Sequence, residues 1–495
     1  MLAVRLRGMR VSAAAAAVLG MAVTLFAGAT AGTGRAASSA SGCTHFGRPA
    51  LAADPRADAL RVFAIQFLQR PATMATSSDY AHAIDCAIRQ GVLPYLAHGR
   101  PNLVVFDEDI GLETLATGPN ATRGRALLQR GVPACKGKPF PCATLATLSA
   151  LDTGYARALN YLKPKYPALG GELGRAFVAA TDTFVRVFMT TMATEAKRYG
   201  LYIVASNTQA PFRVASKPVA ALGGPYVPTA GVAYDQTFLW GPRDVHHSAV
   251  PALRNLLAVN RKVPLTSFES ALGFAPGPSS GEAAIANLKP YTISGTGARL
   301  GFATSLPAFE FGPDKPGQAC ADVAVTYMRC LSKLGANVLI QADANDGQWT
   351  GPDAPEQWQP LSWMASSYRA VTDPTVKFDY AVNPMMVGNL ADTPFDGQSA
   401  IFERGRHGNG CHYVGDGSFV PGQDVAAYKS YAGSKPQFLA LSPWAVPDGS
   451  RAHLKAVGDA LAAGTGKYQY VQTAVIADLT FPLKLNRPGC VMAGR

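Results

Sequence analysis

The chain has 495 residues and 48% of them are hydrophobic, which is enough to form a large buried core. Its 49 glycines and 36 prolines stay well below the share found in low-complexity chains, so the composition is that of an ordinary globular protein with many loops. The formal net charge is +12, yet the basic residues form neither a recognition helix nor a basic-aromatic stripe, which argues against a nucleic-acid partner.

The N-terminus has the pattern of a secretion signal. A region with three arginines precedes an alanine-rich apolar run, and small residues offer cleavage sites after Ala29 or Ala31. We therefore predict a signal peptide at 1–31, a flexible linker at 32–54, and a secreted or cell-envelope protein. If the signal stayed uncleaved, it would be the membrane contact, because no later stretch approaches the ~20 apolar residues of a membrane-spanning helix.

Eight cysteines in an exported chain favour disulfide bonds. Cys135 and Cys142 bracket the turn-rich segment KGKPFP and are expected to pair locally. Cys490 is placed to tie down the C-terminal tail, and the other pairings stay open. No cysteine spacing resembles a zinc site, so we expect neither a metal nor a cofactor.

Short apolar runs alternate with amphipathic segments along nearly the whole chain. The runs are rich in β-forming residues and continuously apolar, as is typical of strands that are covered on both faces. The predicted strands lie at 60–67, 102–109, 201–206, 232–242, 298–306, 337–342, 376–386, 397–403 and 471–479. The predicted helices lie at about 78–92, 176–198, 321–334 and 360–371.

This alternation predicts a layered α/β protein. Neither a boundary linker nor an internal repeat interrupts it, so we predict one large domain at about 55–485 and a C-terminal tail at 486–495. Residues 112–170 contain few periodic segments and are expected to be rich in loops.

The order of the segments is more specific than any one of them. The segments are LRVFAIQF, NLVVFDED, YGLYIVAS, AYDQTFLWGP, RKVPLTSFE, RLGFATS, GANVLIQADA, FDGQSAIF and VQTAVIADL. From about residue 60 to 480 this order resembles the carbon–nitrogen hydrolase (nitrilase) superfamily, of which the chain would be a divergent exported member. The resemblance implies a four-layer α-β-β-α sandwich, here with insertions near 112–170, 306–320 and 405–460.

The resemblance also implies a site built from a glutamate, a lysine and a nucleophile, working through an acyl-enzyme intermediate. Glu108, at the end of NLVVFDED, matches the general base, and burial at the end of a strand would raise its pKa toward that role. Lys262, in RKVPL, matches the residue that stabilises the oxyanion. Glu269, in TSFE, matches the second glutamate, which positions the others.

The nucleophile is where the chain departs from the family. Ser305 stands at the position of the family's cysteine, directly after the strand RLGFAT. Cys320 begins a CAD segment that mimics the family's Cys-x-Asp, but the residues before it contain two prolines and two glycines and cannot form the presenting strand. Three interpretations stay open: an inactive or altered site at Ser305, a re-aimed Cys320 nucleophile, or a working Ser305 with Cys320 in a disulfide.

The sequence therefore predicts an exported hydrolase of non-peptide carbon–nitrogen bonds, of the amidase or nitrilase type, acting on a small amide or nitrile. The alternative is a catalytically inactive binding protein on the same scaffold, because Ser305 replaces the expected cysteine. Members of the family commonly pair as dimers, so the resemblance also allows a homodimer.

Overall fold

The computed structural model describes residues 42–54, 59–135, 142–169, 171, 173–314, 320–344, 359–391, 393–405, 438–442, 445–446, 457–461, 463, 468–483 and 490–492. The predicted signal peptide, part of the predicted linker and most of the 405–460 insertion lie outside these residues. Within them, no helix combines the length and the apolar character that crossing a bilayer requires.

The strands are short and mostly buried. In chain order they are β1 (Ala50–Ala52), β2 (Leu60–Gln66), β3 (Asn102–Val105), β4 (Tyr202–Gln209), β5 (Phe212–Val219), β6 (Gly224–Pro228), β7 (Tyr234–Trp240), β8 (Leu256–Arg261), β9 (Tyr291–Thr292), β10 (Arg299–Phe302), β11 (Val338–Ile340), β12 (Tyr380–Asn383), β13 (Val387–Leu390), β14 (Thr393–Asp396), β15 (Ala400–Glu403), β16 (Phe438–Leu441), β17 (Ala445–Val446), β18 (Gln469–Tyr470), β19 (Thr473–Leu479) and β20 (Val491–Met492).

Helices fill most of the connections between these strands. In chain order they are α1 (Ser77–Gly91), α2 (Thr122–Arg130), α3 (Cys142–Gly154), α4 (Ala156–Leu162), α5 (Arg175–Ala179), α6 (Thr181–Phe184), α7 (Thr190–Tyr199), α8 (Pro251–Arg254), α9 (Ser267–Ala271), α10 (Gly281–Leu288), α11 (Val323–Lys333) and α12 (Gln359–Thr372). A π-helical segment, Val185–Met189, joins α6 to α7.

In the described part of the chain two seven-stranded sheets dominate, with the orders β1-β19-β2-β3-β4-β7-β8 and β20-β16-β15-β12-β11-β10-β9. In the first sheet β2, β3 and β4 are parallel, and β8 shares their direction because two antiparallel pairings separate it from β4. In the second sheet β10, β11 and β12 are parallel. The carboxyl ends of β3 and β8 therefore share one edge of the first sheet, and those of β10 and β11 share one edge of the second.

The two sheets pack face to face around a shared apolar core. Val62 and Val105 of the first sheet belong to the same buried cluster as Leu300 and Val382 of the second. Each of these side chains has no exposed surface, and such burial contributes about 1.5–3 kcal/mol per side chain. This contact accounts for the two inner layers of the fold.

Helices cover the outer face of each sheet. Side chains alternate along β2, so that Phe63 points away from the shared core and packs in a second cluster with Ile84 of α1. In a third cluster Leu339 of β11 packs with Leu331 of α11. The order of layers is therefore helix, sheet, sheet, helix, which confirms the predicted four-layer α-β-β-α sandwich.

The predicted strand positions agree closely with the structure, but two expectations were wrong or incomplete. The segment 112–170 is largely helical rather than loop-rich, because its alanine and leucine side chains, such as Leu151 and Ala158, pack into a buried cluster of their own. Strand β8 was not predicted, because it lies at the sheet edge, is half exposed, and has only four apolar residues before its polar end.

The disulfide bonds agree with the predicted oxidised state. Cys135 and Cys142 are bonded, which confirms the predicted local pair. Cys43 is bonded to Cys86 of α1 and thereby fixes the start of the described chain to the outer helical layer. Cys490 is disulfide-bonded as well.

Candidate active site

Glu108 lies just beyond the carboxyl end of β3. The strand is buried along its whole length, so the chain leaves the interior only at this end. Asp109 then adopts a left-handed conformation with φ of 57°, which turns the chain sharply. Its backbone N–H donates to Ser206 Oγ at 2.7 Å and ties the turn to β4. Glu108 is therefore held at the edge of the sheet with 3% of its surface exposed.

Lys262 directly follows β8, and its ammonium group meets Glu108. Nζ lies 2.6 Å from Glu108 Oε1, 2.6 Å from Glu269 Oε1 and 3.4 Å from Asp235 Oδ2. The backbone is fixed as well, because the Lys262 N–H donates to the Asp235 carbonyl at 3.0 Å. The fold thus brings together three residues singled out in the sequence, although Glu108 and Lys262 are 154 positions apart.

Glu269 is oriented by the start of its own helix, α9. Thr266 is the residue that precedes the helix, and its backbone N–H and hydroxyl donate to Glu269 Oε2 at 2.7 and 2.9 Å. The Glu269 N–H donates in return to Thr266 Oγ1, which completes a capping box. Both carboxylate oxygens are therefore used, one by the helix start and one by Lys262. Burial acts to raise the pKa of Glu269, but Lys262 and Thr266 lower it below its usual value, so Glu269 stays ionised.

The two central groups titrate differently. Burial raises the pKa of Glu108 to about 8, while Lys262 lowers it and neighbouring carboxylates raise it further. Burial alone would lower the pKa of Lys262, but the carboxylates around it, first of all Glu108, raise it well above its usual value. Lys262 therefore stays an ammonium ion, whereas Glu108 can take up and release a proton near neutral pH.

Ser305 lies after the carboxyl end of β10 and is 3% exposed. Its backbone has φ of 59° and ψ of −121°, a conformation that favours glycine and costs a residue with a side chain about 1–3 kcal/mol. The Ser305 N–H donates to the Ala342 carbonyl at 3.2 Å. Two residues further on, the Ala344 N–H donates to Glu108 Oε2 at 2.8 Å. The segment after β11 therefore bridges Ser305 and Glu108.

Cys320 does not offer a thiol, because it is bonded to Cys330 of α11. The interpretation in which Cys320 attacks the substrate therefore does not agree with the structure. The physical reason is local: Cys320 lies three residues before α11, and its sulfur bonds to Cys330 on that helix, ten positions further along the chain. Two interpretations remain, and both have Ser305 in the nucleophile's position: an inactive or altered site, or a working serine nucleophile.

Replacement of both Cys320 and Cys330 by alanine tests this assignment. We expect any activity of the site to stay within about twofold of the wild-type value, since the two sulfurs are bonded to each other and offer no nucleophile. Loss of the cross-link between residues ten positions apart should lower the free energy of unfolding by about 3 kcal/mol. Activity is measured well below the melting temperature of the variant, and loss of activity in a folded double variant would contradict the assignment.

Three carboxylates of the site were not singled out in the sequence: Asp109, which follows Glu108 in the turn, Asp235 and Asp343. Asp235 lies within β7, and its carboxylate faces Lys262. Asp343 lies three residues beyond the end of β11 and has no exposed surface. Like Glu108, it is an acid that follows an apolar strand, and this signal could have found it, although Glu108 itself was identified through the resemblance. Asp235 gives no such signal, because its environment depends on the pairing of β7 with β8.

Two groups of side chains have the spacing of metal ligands among the described residues. In the first, the carboxylates of Glu108, Asp235 and Glu269 approach one another within 4.8 Å, but Lys262 Nζ already lies among them as the cation. In the second, Cys43 and Cys86 come close to His82, but their sulfurs are joined in a disulfide. Neither group leaves a full set of donors for an ion in this state of the protein.

No protein-family model matches the chain, and the search of curated proteins finds no match. Among solved structures, the chain is similar to a mutant amidase from Nesterenkonia sp. AN1 with acrylamide added at its active-site cysteine, at 15% identity and a TM-score of 0.35, over 70% of this chain and 85% of that one. A mutant of the same amidase in complex with butyramide gives 15% identity, a TM-score of 0.36 and the same coverage. A carbon-nitrogen hydrolase from Helicobacter pylori G27 gives 14% identity and a TM-score of 0.36, over 70% and 81%. These values are too low to carry an argument about activity.

Proposed function

We propose that the protein is a hydrolase of non-peptide carbon–nitrogen bonds, of the amidase type, and a divergent member of the carbon–nitrogen hydrolase superfamily. The observation that carries this proposal is the buried ammonium group of Lys262, held at 2.6 Å from both Glu108 and Glu269, beside the segment after β11 that hydrogen-bonds both Glu108 and Ser305. Burying one ammonium ion among several carboxylates is costly, and such costs are typical of functional sites.

In the first half of the proposed reaction, Ser305 Oγ attacks the carbonyl carbon of an amide while Glu108 accepts the hydroxyl proton. The carbonyl oxygen becomes an oxyanion, which the ammonium group of Lys262 stabilises; such stabilisation is often the largest single contribution to catalysis. The tetrahedral intermediate then breaks its carbon–nitrogen bond. Glu108 returns the proton to the departing amine, and an ester to Ser305 remains.

In the second half, Glu108 takes a proton from a water molecule, which attacks the ester carbonyl. The carbon–oxygen bond to Ser305 breaks, the proton returns to Ser305 Oγ, and a carboxylic acid leaves. Glu269 keeps Lys262 in place throughout, because its other oxygen is bound by the start of α9. Water and the amide are the only reactants, so the reaction needs no redox partner.

A serine nucleophile needs a stronger base than a cysteine does. Burial supplies part of the difference, because it raises the pKa of Glu108 to about 8. Each unit by which the pKa of a base rises removes about 1.4 kcal/mol from the free energy of proton transfer to it. The strained backbone at Ser305 destabilises the fold, and a serine with a purely structural role would not explain why this strain is kept.

Replacement of Ser305 by glycine should separate stability from activity. Glycine adopts the observed φ of 59° without strain, so the free energy of unfolding is expected to rise by about 1 kcal/mol. Hydrolysis should be lost, because the attacking oxygen is gone. Urea unfolding and an ammonia-release assay measure the two effects. Ser305→Ala is the matched control, with the oxygen removed and the strain kept; a folded Ser305→Ala variant that still hydrolyses amides would contradict the nucleophile assignment.

The primary test of the activity is ammonia release from a panel of small aliphatic amides and nitriles by the purified protein. Turnover that disappears in Ser305→Ala is the expected result. Absence of turnover across the panel would instead favour the second candidate, a binding protein on the same scaffold. That candidate is favoured by one observation, the serine at the position where the resembled family has cysteine. A binding protein would take up amides in calorimetry without consuming them.

The proposed location is outside the cytoplasm. The basic and apolar N-terminal pattern supports export. The bonds Cys43–Cys86, Cys135–Cys142 and Cys320–Cys330 support it further, because disulfides persist in oxidising compartments. Expression of the full chain in a secreting host should release a processed protein to the envelope or the medium, and full-length protein confined to the cytoplasm would contradict this.

A further inference from the structure

The site contains more acid than the proposed chemistry needs. Among the described residues, Lys262 is the one cation at its centre, and five carboxyl groups surround it. They belong to Glu108, Asp109, Asp235, Glu269 and Asp343. The proposed reaction gives roles to Glu108 and Glu269, so three acids remain without one.

Asp235 points into this cluster without a full set of partners. Its carboxylate comes within 4.8 Å of those of Glu108 and Glu269, and its surface is 1% exposed. Among the described residues Oδ1 has no hydrogen-bond partner, and Oδ2 makes only the 3.4 Å ion pair with Lys262. A buried carboxylate oxygen without a donor is unfavourable, so this vacant acceptor destabilises the empty site.

Asp343 offers a second vacant acceptor. Gln341 Nε2 and Asn383 Nδ2 both donate to Asp343 Oδ2, at 2.9 and 2.6 Å, which fixes the side chain. Oδ1 makes no full hydrogen bond among the described residues, and the backbone N–H of Ser305, which lowers the pKa of Asp343, is the nearby donor. The negative charge of Asp343 acts on Glu108, and Lys262 acts on Asp343 in turn, so its carboxylate borders the same centre.

The acidic residues around Lys262 differ in their exposure to solvent. Asp109 and Glu269 are partly exposed, whereas Asp235 and Asp343 are buried. The partly exposed members therefore face solvent, and of these Glu269 stays ionised. A negative charge at the solvent side attracts a positively charged group and repels a negatively charged one.

We propose that this site selects amides that carry a primary ammonium group, which the vacant oxygens of Asp235 and Asp343 accept. This inference rests on the proposed function for the reaction itself, but the recognition of charge stands on the acid cluster. A bare metal ion fits less well, because Lys262 Nζ already lies at the shared centre of three of the carboxylates. An ammonium group on a short chain can bind beside that centre and donate to the outer oxygens.

Binding of the ammonium group should also release protons. Burial raises the pKa of Asp235 well above its usual value and that of Asp343 to about 8, so the empty cluster holds protons at neutral pH. Asp109 behaves in the same way, whereas Lys262 holds the pKa of Glu269 below its usual value. An incoming cation favours the charged carboxylates, and its affinity therefore increases with pH.

The test compares three amides of similar size: 4-aminobutanamide, which is cationic, pentanamide, which is neutral, and succinamate, which is anionic. Their binding to the Ser305→Ala variant is measured by calorimetry in two buffers that differ in ionisation enthalpy. We expect 4-aminobutanamide to bind at least about 100-fold more tightly than pentanamide, because a site built for a polar group rejects the analogue that lacks it. Binding should release protons, and succinamate should bind most weakly.

Asp343→Asn should remove most of this preference, because asparagine can still accept from Gln341 and Asn383 but carries no charge. Glu113→Gln is the control: Glu113 is also a buried acid, but it contacts Arg70 outside the cluster, so the preference should remain. Equal affinity for the cationic and neutral amides would overturn the inference. Selective binding of 4-aminobutanamide without its hydrolysis by the wild-type protein would instead support the inference and overturn the proposed function.

Discussion

Replacement of Lys262 by methionine should lower the free energy of unfolding by about 3–5 kcal/mol at pH 8, because it leaves buried carboxylates without their cation. It should also lower kcat by a factor of about 100–1,000, since the oxyanion loses its charged partner. Urea unfolding and the amide-hydrolysis assay measure these effects. The loss of stability should be smaller at pH 5, where the carboxyl groups can be protonated.

The sign of this pH dependence follows from Glu108. Burial raises its pKa to about 8 in the folded protein, compared with an ordinary value of 4.5. The folded state therefore binds the proton more readily, and the stability gained from this fades as the pH rises through about 8. Lys262 lowers this pKa, so in the Lys262→Met variant the loss of folding stability with rising pH continues to a pH above 8.

The matched control is Lys197→Met. Lys197 forms an exposed ion pair with Asp244, at 3.1 Å, and such pairs contribute less than about 1 kcal/mol. The control should therefore change neither stability nor activity by much. A Lys262→Met variant that is as stable as this control at pH 8, or that hydrolyses amides at the wild-type rate, would contradict the proposed role.

Replacement of Glu108 by glutamine should lower kcat by a factor of about 100–10,000, because no group remains to take the proton from Ser305 or from water. The fold should persist, since the glutamine carbonyl can still accept from the Ala344 N–H and Lys262 keeps its bond to Glu269. In the wild-type protein, activity should rise with pH and reach half of its maximum near pH 8, where Glu108 loses its proton. Rate measurements from pH 5 to 10 show both effects.

Glu113→Gln is the control for Glu108→Gln. Burial also raises the pKa of Glu113 to about 8, but its carboxylate accepts from the Arg70 backbone and does not meet Lys262. The control should keep the activity and the rise near pH 8. If both variants lose activity equally, the loss comes from replacing any buried acid near the end of β3, and the assignment of Glu108 as the general base is wrong.

Glu108 was identified because NLVVFDED resembles a family segment. The apolar run before it is consistent with this assignment, since burial of that run places the acid at the sheet edge. Lys262 and Glu269 were found through the resemblance of RKVPLTSFE to a family segment, not through periodicity, because β8 lies half exposed at the sheet edge. The continuously apolar strands predicted a layered α/β protein, because such strands need cover on both faces, whereas the four-layer order came from the resemblance to the family.

The features that the sequence did not predict depend on contacts between distant segments. The position of Asp235 beside Lys262 follows from the pairing of β7 with β8, and a single strand carries no record of its partner. The strained backbone of Ser305 is fixed at two points. Strand β10 holds the chain before it, and the Ala342 carbonyl accepts from its own N–H. Serine has no intrinsic preference for this conformation, so the residue type did not predict the strained backbone.

Cysteine pairing shows the same limit. Cys135 and Cys142 were paired correctly because a short turn-rich loop leaves them little choice. Cys320 was open to two interpretations because eight cysteines allow about 105 pairings, and the ten-residue spacing to Cys330 does not single out this pair.

The most direct test of the account is peptide mass spectrometry on the wild-type protein, acid-quenched while it turns over 4-aminobutanamide or pentanamide. The account predicts that the peptide with Ser305 gains the mass of the acyl group, as an ester that Glu108-activated water would otherwise remove. Continued hydrolysis with that peptide unmodified, and with the acyl group absent or bound to another residue, would contradict it.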